Sequence, residues 1–183
     1  NGRIPIRDPK FNWRNTLPGN TSATLWNSLH PLADLPQVLQ LESGFVYNTN
    51  HSPFHATEGP GNPVNKDITM GYETLENNRS RRFAELLAGY DKLSFADFKK
   101  IKFDRQYPVK FAFPNNIDTL FLLDPSIHPA IADLINNLNQ WDKKGGAESI
   151  GAGTFLMAYK TITSSSNGYL KTRKLTREQC VTL

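Results

Sequence analysis

Proline decides what the first part of this chain can build. Pro5, Pro9, Pro18, Pro31, Pro36, Pro53, Pro60 and Pro63 punctuate it. Each lacks a backbone N–H and fixes φ, so neither a helix interior nor a central strand tolerates it. Arg3-Ile4-Pro5-Ile6-Arg7 can be a short extended piece only at an edge, and Pro18-Gly19 signals a turn. A long polar loop is expected from about His51 to Tyr72, with Gly59-Pro60-Gly61-Asn62-Pro63 in its middle; such loops are usually functional or disordered. Residues 1–75 therefore read as an extended, loop-rich layer that covers something else.

One stretch interrupts that pattern. Gly44-Phe45-Val46-Tyr47 is rich in β-branched and aromatic residues and reads as the start of a strand spanning 44–50. It runs into Asn48-Thr49-Asn50-His51-Ser52-Pro53, a cluster of turn-forming, hydrogen-bonding residues. A strand that delivers two Asn, one Thr and one His to a loop mouth can place amides at a site. On spacing alone the competing reading is a polar loop whose Asn side chains cap their own backbone.

From residue 76 onward the period changes to that of helices. Phe83, Leu86, Leu87 and Tyr90 form one stripe, with Arg79, Arg81, Arg82 and Glu85 mostly on other faces and Gly89 as the stop. Ser94 with Asp97 announces a second helix, on which Phe95, Phe98 and Ile101 are expected to face inward and which ends before Pro108. A short helix is expected over 117–123. A longer one starts at Pro129 and carries Ile131, Leu134, Ile135, Leu138 and Trp141, with Gly145-Gly146 as its close. Ser149 caps a further helix through Phe155, Leu156 and Tyr159, and Thr163 to Gly168 reads as loop. Thr176-Arg177-Glu178-Gln179 again has the capping pattern, followed by Cys180, Val181 and Leu183. A helix announced so close to residue 183 is too short to stand alone, so the chain reads as a piece of a larger protein. The expected fold class is α+β: a predominantly helical lobe over 76–183 with a few short strands.

With 183 residues, 38% hydrophobic and 21% charged, the chain has the make-up of one ordinary globular unit. No apolar run approaches the roughly 20 residues of a membrane span. The net charge of +4 is mild and its lysines and arginines are scattered, which argues against a nucleic-acid partner. Cys180 is the one cysteine, so an internal disulfide is excluded and no second cysteine exists to give zinc spacing.

Three motif blocks resemble the β-subunit of the penicillin acylase family, which includes acyl-homoserine-lactone and aculeacin acylases. They are Gly2-Arg3-Ile4-Pro5-x-Arg7; Pro31-Leu32-Ala33-Asp34-Leu35-Pro36 with Gly44-Phe45 and Asn48-x-Asn50-x-Ser52-Pro53; and the Arg79 segment that opens the apolar stripe. Leu93-Ser94-Phe95-Ala96-Asp97, Phe103 to Pro108 and Trp141-Asp142 are similar too. His51 departs from the Asn or Asp usual after the second Asn. The resemblance implies an αββα fold of the amino-terminal-nucleophile hydrolases, of which this chain is a fragment. It also implies a bacterial enzyme, periplasmic or secreted, that splits an acyl group from an amide and matures from an inactive precursor.

By resemblance Asn50 is the oxyanion-hole asparagine. Its side-chain NH2 is a neutral donor suited to the charge that develops on oxygen in amide hydrolysis. Arg79 resembles the arginine near that asparagine. An arginine has only donors, so it can hold the Asn carbonyl oxygen and turn the NH2 to substrate; Arg82 is the alternate. His51 is a candidate lining of the substrate pocket. His51 and His55 are four apart, but Pro53 between them breaks the helix that zinc spacing needs. Asp67 falls near a calcium-ligating aspartate of some relatives, so a structural calcium is possible in the parent protein, with no cofactor required. The family attacks with an amino-terminal Ser, Thr or Cys whose own amine takes the proton. Residue 1 is Asn, so the nucleophile is expected from an upstream segment, and the expected partners are the remainder of the precursor and a small acyl-amide substrate. The competing reading, from another class, is a helical binding or scaffold module without chemistry.

Overall fold

In the computed structural model, residues 3–113 and 117–163 and the isolated positions 176, 178 and 181 are described. The capping pattern at 176–179 with Cys180 and Leu183, the loop expected after Thr163, and Asn1 thus lie wholly or largely outside the described residues. Contacts divide the chain into two compact units, residues 1–76 and 77–183.

The proline-rich unit is built from turns. Its regular pieces are one-turn 3-10 helices at Ser22–Thr24, Leu32–Asp34, Pro53–His55 and Ile68–Met70. Three of them start on a side chain that accepts a backbone N–H: Thr21, Ser52 and Asp67. These caps satisfy donors that no ladder reaches. Among the described residues, extended pairing is limited to an isolated antiparallel bridge between Pro5 and Leu29, flanked by bonds from Ile6 N–H to the Ser28 carbonyl (3.0 Å) and from His30 N–H to the Ile4 carbonyl (2.9 Å). Pro5 thus takes the irregular position its missing donor requires.

The strand expected over 44–50 does not form. Gly44 (φ +74°) and Asn50 (φ +60°) both adopt left-handed backbone, which ends an extended run at either side. Between them a single ladder-like bond, Tyr47 N–H to the Ala56 carbonyl, is made at 2.9 Å. The Phe45 carbonyl instead accepts from the hydroxyls of Thr57 (2.9 Å) and Ser43 (3.1 Å). Thr57 N–H donates to Asn62 Oδ1 and Asn62 Nδ2 donates back to the Thr57 carbonyl, so side chains take the place of a neighbouring strand. Among the described residues of this unit, the large apolar side chains that are buried are Tyr47 and Met70.

The second unit is α-rich. Helix α1 spans Asn78–Leu87, α2 Phe95–Lys102, α3 Ala132–Asn139 and α4 Ile150–Thr163. Asn77 and Ser80 cap α1 reciprocally: Asn77 Oδ1 accepts the Ser80 N–H at 2.9 Å and Ser80 Oγ accepts the Asn77 N–H at 3.1 Å. The α1 stripe is half-buried and stops at Leu87, short of Tyr90 and Gly89. The segment 117–122 is 3-10 rather than α. Pro129 opens a 3-10 turn, Pro129–Ile131, that leads into α3. Among the described residues of this unit, extended structure again reduces to one isolated bridge, Gln106 to Lys144.

Three expectations are corrected here. Phe95 and Phe98 are 76% and 44% exposed, and Ile101 alone of the trio is buried; α2 is eight residues long and turns one side chain inward. Leu134 is 52% exposed while Ile135, Leu138 and Trp141 are buried, because the 3-10 entry rotates the stripe. Finally, α3 ends at Asn139, before Gly145-Gly146, and the Gly145 N–H pairs with the Arg105 carbonyl at 2.9 Å beside the bridge.

The core joins Phe111, Ile117, Leu120, Leu123, Ile135, Leu138, Trp141, Ala152, Phe155 and Ile162. Phe155, 1% exposed, is its hub. Its ring centroid lies 5.0 Å from that of Trp141, 5.1 Å from Phe111 and 5.6 Å from Tyr107. Helix α4 begins with Ser149 Oγ accepting the Ala152 N–H and settles directly on Trp141. A Cβ at Gly151 would meet the Trp141 side chain, and the Asn137 carbonyl at 2.8 Å. Backbone on one side and an indole on the other leave nowhere to yield. Gly151→Ala is therefore expected to destabilise the chain by about 1–3 kcal/mol, the usual overpacking cost, despite alanine's better helix propensity. A urea titration checks the sign.

A bidentate pair ties α1 to the segment after α2. Arg82 Nε donates to Asp104 Oδ2 at 2.8 Å and Nη2 to Oδ1 at 3.1 Å, with Gln106 Oε1 and Glu85 Oε2 accepting at 3.3 Å. The Arg82 guanidinium holds the Asp104 carboxyl below the usual carboxylate range. A carboxylate lowered on folding contributes stability in full above its unfolded value of about 3.9 and loses it as pH falls through the lower folded value. Arg82→Ala is expected to cost roughly 1–3 kcal/mol at neutral pH, and its deficit relative to wild type should shrink below about pH 4. Melting curves across that range test both statements. Among the described residues no helix is long and apolar enough to cross a membrane.

Candidate functional site

The loop 48–53 is shaped by its own side chains. Asn48 Oδ1 accepts the Asn50 N–H at 2.7 Å, an Asx-turn. That turn tips Asn50 into the left-handed region, which asparagine tolerates better than most residues. On the far side the His51 ring bridges the loop. Its Nδ1 accepts the Thr49 N–H at 3.1 Å, which leaves the proton on Nε2 to donate to the His55 carbonyl at 2.7 Å. The Thr49 hydroxyl lies 2.9 Å from the same Nδ1, and the ring stacks on Tyr47 with centroids 4.9 Å apart.

Ser52 closes the arrangement. Its N–H donates to the Leu75 carbonyl (3.3 Å), its Oγ accepts the Phe54 N–H (3.1 Å), and Pro53 occupies the first position of the turn that follows. Burial pushes the Tyr47 hydroxyl upward from its ordinary pKa, aided by Glu58, whose carboxylate accepts from it at 3.1 Å. Tyr47 therefore stays a neutral donor that anchors the near end of the loop. The outcome is an exposed Asn50 on a crest whose neighbours 48, 49, 51 and 52 are each fixed by hydrogen bonds.

Arg79 stands in the first turn of α1 and is exposed. Its neighbours pin that turn: Asn78 Oδ1 accepts the Ala112 N–H at 2.7 Å and Arg81 Nη1 donates to the Phe111 carbonyl at 2.9 Å. Asn50 belongs to the first unit and Arg79 to the second. Arg82, the alternate, has its guanidinium engaged by Asp104, Glu85 and Gln106.

Asp67 has a local task. Its Oδ1 accepts the Thr69 N–H at 2.8 Å and the Thr69 hydroxyl at 2.7 Å, capping Ile68–Met70. The Thr69 hydroxyl bond is the chief reason its carboxyl sits below the ordinary range. Oδ2 lies 3.6 Å from His30 Nε2, and His30 Nδ1 lies 3.3 Å from Asp34 Oδ2. Calcium asks for six to eight oxygens. Two carboxylates with an imidazole between them do not make that set, and among the described residues no group of three His, Cys, Asp or Glu is placed to hold a metal ion. His51 and His55 do not converge on a metal either, since both His51 nitrogens serve the loop.

Sequence reasoning misses the supports of this loop. Thr57 and Asn62 brace its base and Ser43 shares a hydroxyl contact with Thr57. They sit at irregular separations with no periodic signal, and only the density of Ser, Thr and Asn around residue 50 hints at them. In a comparison with known protein families, the model described as penicillin amidase matches residues 1–174.

Proposed function

The chain belongs to the penicillin amidase family, and from that membership we propose that it supplies the oxyanion-stabilising part of an amidohydrolase that cleaves an acyl group from a linear amide. The observation that carries the reading is Asn50, exposed on a loop whose other members are locked by Asn48, Thr49, His51 and Ser52. An amide NH2 held there needs little reorganisation when the carbonyl oxygen of the substrate becomes an anion. Arg79 is the positioning residue for Asn50 in this proposal. His51 contributes by shaping the loop and presents its ring to the acyl or leaving-group pocket.

The attacking hydroxyl or thiol comes from an upstream segment exposed by self-cleavage of a precursor, with the α-amine as base. The site is thus completed by the remainder of that precursor, within an αββα amino-terminal-nucleophile fold, and the mature enzyme works in the periplasm or outside the cell. Penicillin-type, acyl-homoserine-lactone and lipopeptide amides are the candidate substrates. A structural calcium near Asp67 would take most of its oxygens from outside this chain.

The test is expression of the gene with its upstream segment, followed by intact mass and a panel of acyl amides. Two chains from one precursor, with amidase activity that appears only after cleavage, support the proposal. An uncleaved, inert parent rejects it.

A further inference from the structure

The helix α2 region has an apolar face that is exposed among the described residues of its unit. Phe95 and Phe103 are 76% and 70% exposed, and Phe98 and Leu93 are exposed with them. On a helix of 3.6 residues per turn, Phe95, Phe98, Lys99 and Lys102 share one face, roughly a third of a turn from the buried Ile101. The lysines lie against the rings: Lys99 Nζ is 5.1 Å from the Phe95 centroid and Lys102 Nζ 5.6 Å from that of Phe103.

Charge singles out the occupant. Residues 90–103 hold four lysines, at 92, 99, 100 and 102, and two acids, Asp91 and Asp97. Asp97 is neutralised locally, accepting from Ser94 Oγ at 2.6 Å and from Lys100 Nζ at 3.0 Å. Lys92, Lys99 and Lys102 are paired with no carboxylate among the described residues. The surface is therefore aromatic and cationic together. Protein interfaces favour aromatics with arginine and are depleted of lysine. A lipid headgroup layer suits this pairing better, because the ring enters the acyl boundary while the long lysine keeps its ammonium among phosphates.

We propose that the α2 face, Phe95, Phe98 and Phe103 with Lys99 and Lys102, is a peripheral docking site for an anionic lipid surface. It lies on the membrane rather than across it.

The experiment is sedimentation of the full chain with vesicles of phosphatidylglycerol and phosphatidylcholine, against vesicles of phosphatidylcholine alone. Binding to the anionic vesicles that weakens as salt is raised is the expected result. Lys99→Gln with Lys102→Gln should lower the partition by about fivefold for each lysine removed. Phe95→Ser with Phe98→Ser should lower it by about tenfold for each ring. All four side chains are exposed, so circular dichroism melts should match wild type. If the phenylalanine pair proves unstable, the lysine pair decides alone. Absence of binding to anionic vesicles, or equal binding by wild type and lysine variant, overturns the proposal. So does poly-glutamate binding that the same substitutions abolish while vesicles fail to bind, which would put an acidic protein on this face.

Discussion

In the full-length parent, Asn50→Ala should fold and self-cleave normally yet hydrolyse its amide on the order of 100- to 1,000-fold more slowly, the usual cost of one oxyanion-hole donor. The loss should fall on kcat, since the bond it removes strengthens only as charge develops on oxygen. Asn50 has φ +60°, where alanine is strained by about 1–2 kcal/mol, so alanine alone would mix a backbone effect with the loss of the amide. Asn50→Gly separates them, because glycine accepts this conformation without strain. Equal inactivity of the Gly and Ala variants assigns the effect to the side-chain NH2. Full activity in Asn50→Gly would move the oxyanion hole elsewhere, and loss of self-cleavage in both would make Asn50 a folding residue. Arg79→Ala, acting through the orientation of Asn50, should give a smaller loss in kcat, partly restored by lysine.

Phe155→Ala should remove about 3–5 kcal/mol of stability from the helical unit. The ring is 1% exposed and stacks among Trp141, Phe111, Phe121 and Tyr159 at centroid distances from 5.0 to 6.1 Å. Those neighbours hang on the segment just after α3, on α4, on the 3-10 turn Ile117–Leu122 and on the segment around Phe111, so relaxation into the cavity would have to move several elements together. Leu156→Ala, one residue on and 53% exposed, provides the internal comparison and should stay within about 0.5 kcal/mol. Guanidinium titrations followed by tryptophan fluorescence suit the pair, since Trp141 abuts Phe155. Similar costs for both would mean that the interior is loosely packed and that Phe155 is not its hub.

The sequence by itself determined where regular structure is forbidden and where helices begin. Proline chemistry is local, and so are caps: Ser94, Ser149 and the helix stop near Gly89 act within one turn of themselves. The Asn48-x-Asn50-x-Ser52-Pro53 motif also carried the family, and Asn48 and Ser52 make the local turns their residue types favour. Tertiary structure decided the rest. The run Gly44 to Tyr47 has the composition of a strand, but a strand exists only with a partner edge, and here the hydroxyls of Ser43 and Thr57 take that place. Phe95 and Phe98 have core chemistry and inward spacing, yet periodicity names a face without saying what covers it, and among the described residues both stay exposed. Gly151 shows the same limit from the other side: a glycine inside a helix looks like a weakness until Trp141 is placed against it. A local rule reads what a residue does to its own backbone; what it meets across the fold depends on segments far away in sequence, and only folding brings those together.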